Sequence, residues 1–157
     1  FKNIIWVTSD LKENHKNIKA WIESSELENI KGPVKLQLGV DDFPKEPFNY
    51  VFTANTLHIM SWKEAKSFLK LLGKRLREGS LVFIYGPFNY DGDYTSESNR
   101  NFDFWLKDRN VKSGIRHFED VLGNMEKSGF KILKDHEMPA NNRLLVFERL
   151  PFKGIKG

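Results

Sequence analysis

Apolar positions in this chain fall into short runs, separated by stretches with helical spacing. Ile4-Ile5-Trp6-Val7 is a continuous apolar run of the kind that suits a strand covered on both faces of a parallel sheet. Beyond Thr8-Ser9-Asp10, Asn14 is placed to cap a helix whose Ile18, Trp21 and Ile22 share one face. Gly32-Pro33 is expected to end that helix. Val34 to Leu38 alternates as a strand does, and Gly39 to Pro44 reads as a carboxylate-rich turn. Tyr50-Val51-Phe52 opens a further strand that breaks at Thr53 to His58. The clearest helix follows, with Ala65, Phe68, Leu69, Leu72 and Leu76 on one stripe and Lys63, Lys66, Lys70, Lys74 and Arg77 opposite, stopped by Gly79. Ser80 to Tyr85 is the next strand, halted by Gly86-Pro87. Phe118, Val121, Leu122 and Met125 mark a helix closed by Gly129. Phe130 to Lys134 and Leu144 to Glu148 are the last two strands, joined through Met138-Pro139-Ala140-Asn141-Asn142.

Alternation of this kind implies an α/β layer fold with a mostly parallel sheet, and two final strands without a helix between them imply one antiparallel member. Ligands of open sheets bind beyond the carboxyl ends of the strands. Those ends carry Asp10, Asp41-Asp42, Asn55 to His58 and Tyr85-Gly86-Pro87-Phe88. Between Tyr85 and Leu106 the pattern predicts a long loop rich in turn formers and in aromatics, among them Tyr90, Tyr94, Phe102, Phe104 and Trp105. A loop with both kinds of residue is more often a binding element than a spacer, the alternative being a surface loop pinned by a few rings.

Composition narrows this picture. A chain of 157 residues is expected to form one domain, residues 1–157. With no cysteine there are no disulfides, thiolate metal sites or cysteine nucleophiles. The formal charge of +4 permits an acidic partner without requiring one. No apolar run approaches the roughly 20 residues of a membrane span, so a cytoplasmic protein with no membrane partner is expected. His15, His117 and His136 form no metal-ligand spacing. The chain opens without Met and inside a strand pattern, from which a longer native protein, N-terminally incomplete here, is expected.

Each candidate site residue has a plainer reading beside it. Asp10 could accept from both ribose hydroxyls of a nucleoside, or cap the following helix. Asp41 and Asp42 could accept from an adenine amino group, or serve the turn. Asn55 and His58 could orient a nucleophile or take its proton, or be satisfied structural side chains. The lysine stripe could meet nucleic-acid phosphates, but such stripes are more often solvated helix faces. The Tyr-x-x-x-Lys dyad, the Gly-x-Ser-x-Gly elbow and the phosphate-binding Gly-Lys-Ser/Thr loop are all absent.

Five segments in order carry a resemblance: Asn55-Thr56-Leu57-His58-Ile59, Tyr85-Gly86-Pro87-Phe88-Asn89, Ser96-Glu97-Ser98-Asn99 with Phe102-Asp103, Gly114-Ile115-Arg116, and Met138-Pro139-Ala140-Asn141-Asn142. Together they resemble a little-characterised, methyltransferase-like family within the class I S-adenosylmethionine-dependent methyltransferases. The resemblance implies a Rossmann-like, three-layer αβα fold with strand order 3-2-1-4-5-7-6 and the seventh strand antiparallel. It also implies that the first strand and its glycine-rich turn are missing from this chain. The implied cofactor is S-adenosylmethionine, with Asp10 on the ribose and Asn55 facing cofactor and substrate. Gly39 stands where relatives carry an acid, which leaves the adenine contact to Asp41, Asp42 or Phe43. His58 is the candidate base. Tyr85, Phe88 or Tyr94 could offer rings to the sulfonium, and Tyr85, Pro87, Phe88, Tyr94, Ser98, Asn99, Arg116, Asn141 and Asn142 are the candidate substrate residues. Arg116, Asn141 and Asn142 could equally knit the long loop to the sheet. The implied function is methyl transfer to a small-molecule acceptor; the alternatives are a non-catalytic cofactor- or nucleotide-binding module and an RNA-associated protein.

Overall fold

The computed structural model describes residues 3–45 and 47–151. The chain falls into two compact units, Phe1–Lys45 and Glu46–Gly157. In the first, strand β1 (Trp6–Asp10) leads through a short 3-10 turn (Lys12–Asn14) into helix α1 (His15–Ser25), and strand β2 (Ile30–Lys35) returns parallel to β1. The helix ends before Gly32-Pro33, at Glu26, whose φ of 54° is left-handed. Gly32-Pro33 lies instead inside β2, which begins four residues earlier than Val34. The reason is a close approach: the β1–β2 register slips between Val7 and Ser9, and a Cβ on Gly32 would sit 2.7 Å from the Thr8 carbonyl oxygen. Only a residue without a side chain fits opposite that bulge. Asn14 precedes α1 but makes no side-chain cap. The apolar run is not covered on both faces: Ile5 is 62% and Trp6 43% exposed.

The second unit holds β3 (Tyr50–Ala54), α2 (Trp62–Arg75), β4 (Leu81–Gly86), β5 (Phe88–Asn89), α3 (Glu97–Arg109), β6 (Arg116–His117), α4 (Phe118–Lys127), β7 (Phe130–Met138) and β8 (Asn142–Arg149). Its main sheet has the order β3-β4-β8-β7. β3 and β4 are parallel, with Thr53 opposite Ile84, and β8 runs antiparallel to both β4 and β7. This is the order implied for the last four strands of the resembled fold, with the single antiparallel strand where two consecutive strands predicted it.

The apolar stripe of α2 supplies Ala65, Phe68, Leu69 and Leu72 to the core; α2 packs on α4, which buries Val121 and Met125, and the sheet buries Val82, Ile84, Leu145 and Phe147. Each fully buried aliphatic side chain contributes about 2 kcal/mol. Ser61 opens α2 with a complete capping box: its hydroxyl accepts from the Glu64 N–H, and the Glu64 carboxylate accepts from the Ser61 N–H. Lys63, Lys66, Lys70, Lys74 and Arg77 are all exposed, as the stripe predicted.

The stretch 85–106 is not one long loop. Beyond the two-residue β5, which pairs with β6, helix α3 starts at Glu97, capped by the Ser96 hydroxyl on the Asn99 N–H. Its buried face consists of Asn99, Asp103 and Leu106. A helix that buries polar side chains carries no apolar stripe, so hydrophobic spacing does not reveal it.

Candidate functional site

At the carboxyl end of β4 the chain must leave the sheet beside the turn that follows β3. Asn55 takes that turn in the left-handed region (φ 55°), which asparagine tolerates better than most residues. Its N–H bonds to the Tyr85 carbonyl at 2.9 Å, which ties the turn to β4. Thr53 donates to Thr56 at 2.8 Å, and Thr56 in turn to the Ala54 carbonyl. The result is a notch over Gly86: a Cβ there would lie 3.6 Å from both Asn55 Oδ1 and His58 Nδ1. Neither side chain has a hydrogen-bond partner among the described residues, although His58 is only 5% exposed. The ring of His58 meets the ring of Phe102 edge-on at 5.3 Å. Burial, and secondarily the Arg116 guanidinium, hold the His58 pKa down at about 4, so the imidazole is neutral near pH 7.

The walls around this notch are knitted by the polar residues of α3 and its neighbours. Asp103, 1% exposed, accepts from the Ile115 N–H at 2.7 Å, the Tyr94 hydroxyl at 2.6 Å and Lys107 at 2.5 Å. Burial alone would raise its pKa, but the Lys107, Tyr94 and Ile115 hydrogen bonds outweigh it and keep the carboxyl below its ordinary value. The same contact pushes Tyr94 up to about 12. Asn99 donates to Thr95 and to the Asn141 carbonyl, and Asn141 donates to Ser98 at 3.0 Å. Asn141 and Ala140 both have left-handed φ in the β7–β8 turn, and Asn142 donates to the Pro139 carbonyl. Arg116 donates to the carbonyls of Leu57, Met60 and Lys112. Gly114 N–H bonds to the His58 carbonyl at 2.8 Å. Asn141 thus joins the β7–β8 turn to α3, Asn142 bonds within that turn, and Arg116 joins the segment after β3 to the one before β6. Pro87 and Phe88 are buried, and Tyr85 is half-buried.

Some of the supporting residues were not legible. Asp103 and Asn89 are buried polar residues in stretches read as loop, and Asn89 Oδ1 has no partner among the described residues. Gly86 read as a strand stop at the sheet's carboxyl end and as part of a resembling segment, not as a place where two side chains meet. The Tyr90 hydroxyl donates to Asp135 at 2.8 Å, Arg143 pairs with the same carboxylate at 2.8 Å, and the Tyr90 ring stacks on Phe118 at 4.9 Å.

The candidate cofactor residues of the first unit stand by themselves. Asp10 Oδ1 accepts from the Leu11 N–H at 2.7 Å and the Asn14 amide at 2.8 Å. Its Oδ2 has no partner among the described residues. Asp41 is committed to its turn: the Gln37 N–H bonds to Oδ2 at 2.7 Å, and Lys35 lies 3.3 Å from Oδ1. Chiefly the Gln37 hydrogen bond lowers its pKa. Phe43 is buried and Asp42 exposed. Among the described residues, no group of three or more His, Asp or Glu is placed to hold a metal, and no helix is long and apolar enough to cross a membrane.

The model of DUF938, a protein family of unknown function, matches residues 1–149. The chain belongs to this family. Solved structures similar to this DUF938 member include an O-methyltransferase family protein from Burkholderia thailandensis, at 15% identity and a TM-score of 0.79, over 90% of this chain and 42% of that one. An O-methyltransferase family 2 protein from Planctomyces limnophilus, solved with apigenin, matches at 16% identity and 0.81, over 92% and 42%. PigF, solved with SAH, matches at 12% and 0.81, over 95% and 44%. The fold of the DUF938 chain is thus the Rossmann-like fold of class I methyltransferases, and the chain spans less than half the length of these structures.

Proposed function

We propose that this protein is an S-adenosylmethionine-dependent methyltransferase acting on a small-molecule acceptor. The observation that carries the reading is the notch over Gly86, where Asn55 Oδ1 and His58 Nδ1 have no hydrogen-bond partner among the described residues, at the carboxyl end of β4. Each unit offers groups of the kind the cofactor needs: in the second the notch is a cradle that a side chain at position 86 would fill, and in the first Asp10 Oδ2, without a partner among the described residues, is an acceptor of the kind ribose hydroxyls use. When bound, the cofactor supplies a methyl group on an electrophilic sulfonium.

The work of the protein is then positioning. In this reading Asn55 Oδ1 accepts a hydrogen bond from the cofactor or the acceptor. His58 presents Nδ1 to the acceptor's proton. A pKa near 4 makes it a weak proton acceptor, so it orients the attacking atom more than it deprotonates it. That depression is also what favours the second reading, a binding module without turnover.

Incubation with radiolabelled S-adenosylmethionine and a panel of hydroxylated aromatics and amines tests the proposal. Methyl incorporation that falls at least about tenfold in His58→Ala and Asn55→Gly supports it. Saturable cofactor binding with no incorporation across the panel selects the module. RNA binding with a steep salt dependence would favour the lysine stripe instead.

A further inference from the structure

A second set of polar groups lies at the opposite edge of the main sheet from Gly86. β8 ends there beside the start of β4, with Leu81 paired to Glu148. A cavity of about 540 Å³ is lined by Gly73, Lys74, Leu76, Arg77, Glu78, Arg149 and Leu150. Arg149 is only 9% exposed. Its Nη1 donates to the carbonyls of Gly129 (2.8 Å) and Leu150 (3.0 Å), while its Nε is buried without a partner. Nη2 makes no hydrogen bond among the described residues, and no carboxylate pairs with Arg149 there, Glu78 included. The guanidinium lies against Gly129, where any Cβ would collide with it, and near the Phe130 ring at 5.6 Å.

A buried guanidinium without an anion is costly, and proteins ordinarily pair such charges. Carbonyl contacts hold Nη1 and fix the plane of the group. They leave two donors without a partner among the described residues, the buried Nε and Nη2, so the charge of the group is not neutralised. Lys74 and Arg77, exposed and without ion-pair partners among the described residues, add two cations against the single acid Glu78. The lining is thus matched to a doubly charged oxyanion. We infer that this cavity binds a phosphate-class dianion, with Arg149 as its fixed donor and with Lys74 and Arg77 closing over it.

Melting of the wild-type protein, titrated with inorganic phosphate at constant ionic strength and with chloride as comparator, tests this. Phosphate should raise the melting temperature saturably and chloride should not. Arg149→Lys keeps a charge but loses the planar group that the Gly129 and Leu150 carbonyls hold in place, and should weaken the apparent phosphate affinity about tenfold. Lys74→Ala/Arg77→Ala, which leaves the buried group untouched, should weaken it roughly fivefold. Lys63→Ala/Lys66→Ala, earlier on the same helix, should leave it unchanged. An equal response to chloride, no response to phosphate, or a wild-type response in the Lys74/Arg77 variant would each overturn the site.

Discussion

Asn55 and His58 show how backbone and burial set what a side chain can do. Asn55 is left-handed and so is glycine's usual territory. Asn55→Gly therefore removes Oδ1 while keeping the turn. We expect a melting temperature within a few degrees of wild type and methyl transfer lowered about tenfold, worth roughly 1.4 kcal/mol. For His58 the sign follows from its depressed pKa. Between the ordinary 6.5 and about 4 the unfolded chain binds a proton that the native ring refuses. The stability it contributes is complete above pH 6.5 and is lost as pH falls toward about 4. His58→Phe should flatten the pH dependence of denaturant midpoints over that window. Asp103 anchors three donors from within the core, so Asp103→Ala should cost about 3 kcal/mol in chemical denaturation. At this scale the sequence marked Asn55 and His58 by their place after a strand. Asp103 and Gly86 stood only as members of the resembling segments; the bonds Asp103 gathers and the notch at Gly86 were not legible, because both depend on which residues tertiary contact brings together.

Elements differed in legibility according to what they bury. α2 announces itself through its apolar stripe, which the structure buries, and the Ser61–Glu64 capping box emerges with the structure. Ser61→Ala should lower stability by about 1 kcal/mol in urea denaturation, since it removes the acceptor for the Glu64 N–H. α3 was invisible because its inward face is Asn99, Asp103 and Leu106. β2 was displaced in the reading because Gly32-Pro33 is a punctuation signal in most contexts, whereas here the glycine lets Thr8 approach. The β7–β8 turn is held to α3 through Asn99, Asn141 and Ser98. Losing that clasp in Asn99→Ala should speed amide exchange in both segments while leaving β4 protected.

For the whole chain, element order was enough to give an α/β sheet with a single antiparallel strand, and the order β3-β4-β8-β7 is what formed. The membership in DUF938 and the likeness to class I methyltransferases agree with that order. The chemistry is less determined by topology, since one fold hosts many reactions. The proposed chemistry rests on side chains without partners among the described residues at the ends of strands, and the central proposal is that the chain binds an adenosyl cofactor. Calorimetric titration of the wild-type protein with S-adenosylhomocysteine, beside Asp10→Ala, tests that claim most directly. The account predicts one-to-one saturable binding in the wild type, weakened about tenfold when the ribose acceptor is removed. A flat titration of the wild type, or equal affinity in both proteins, would contradict it.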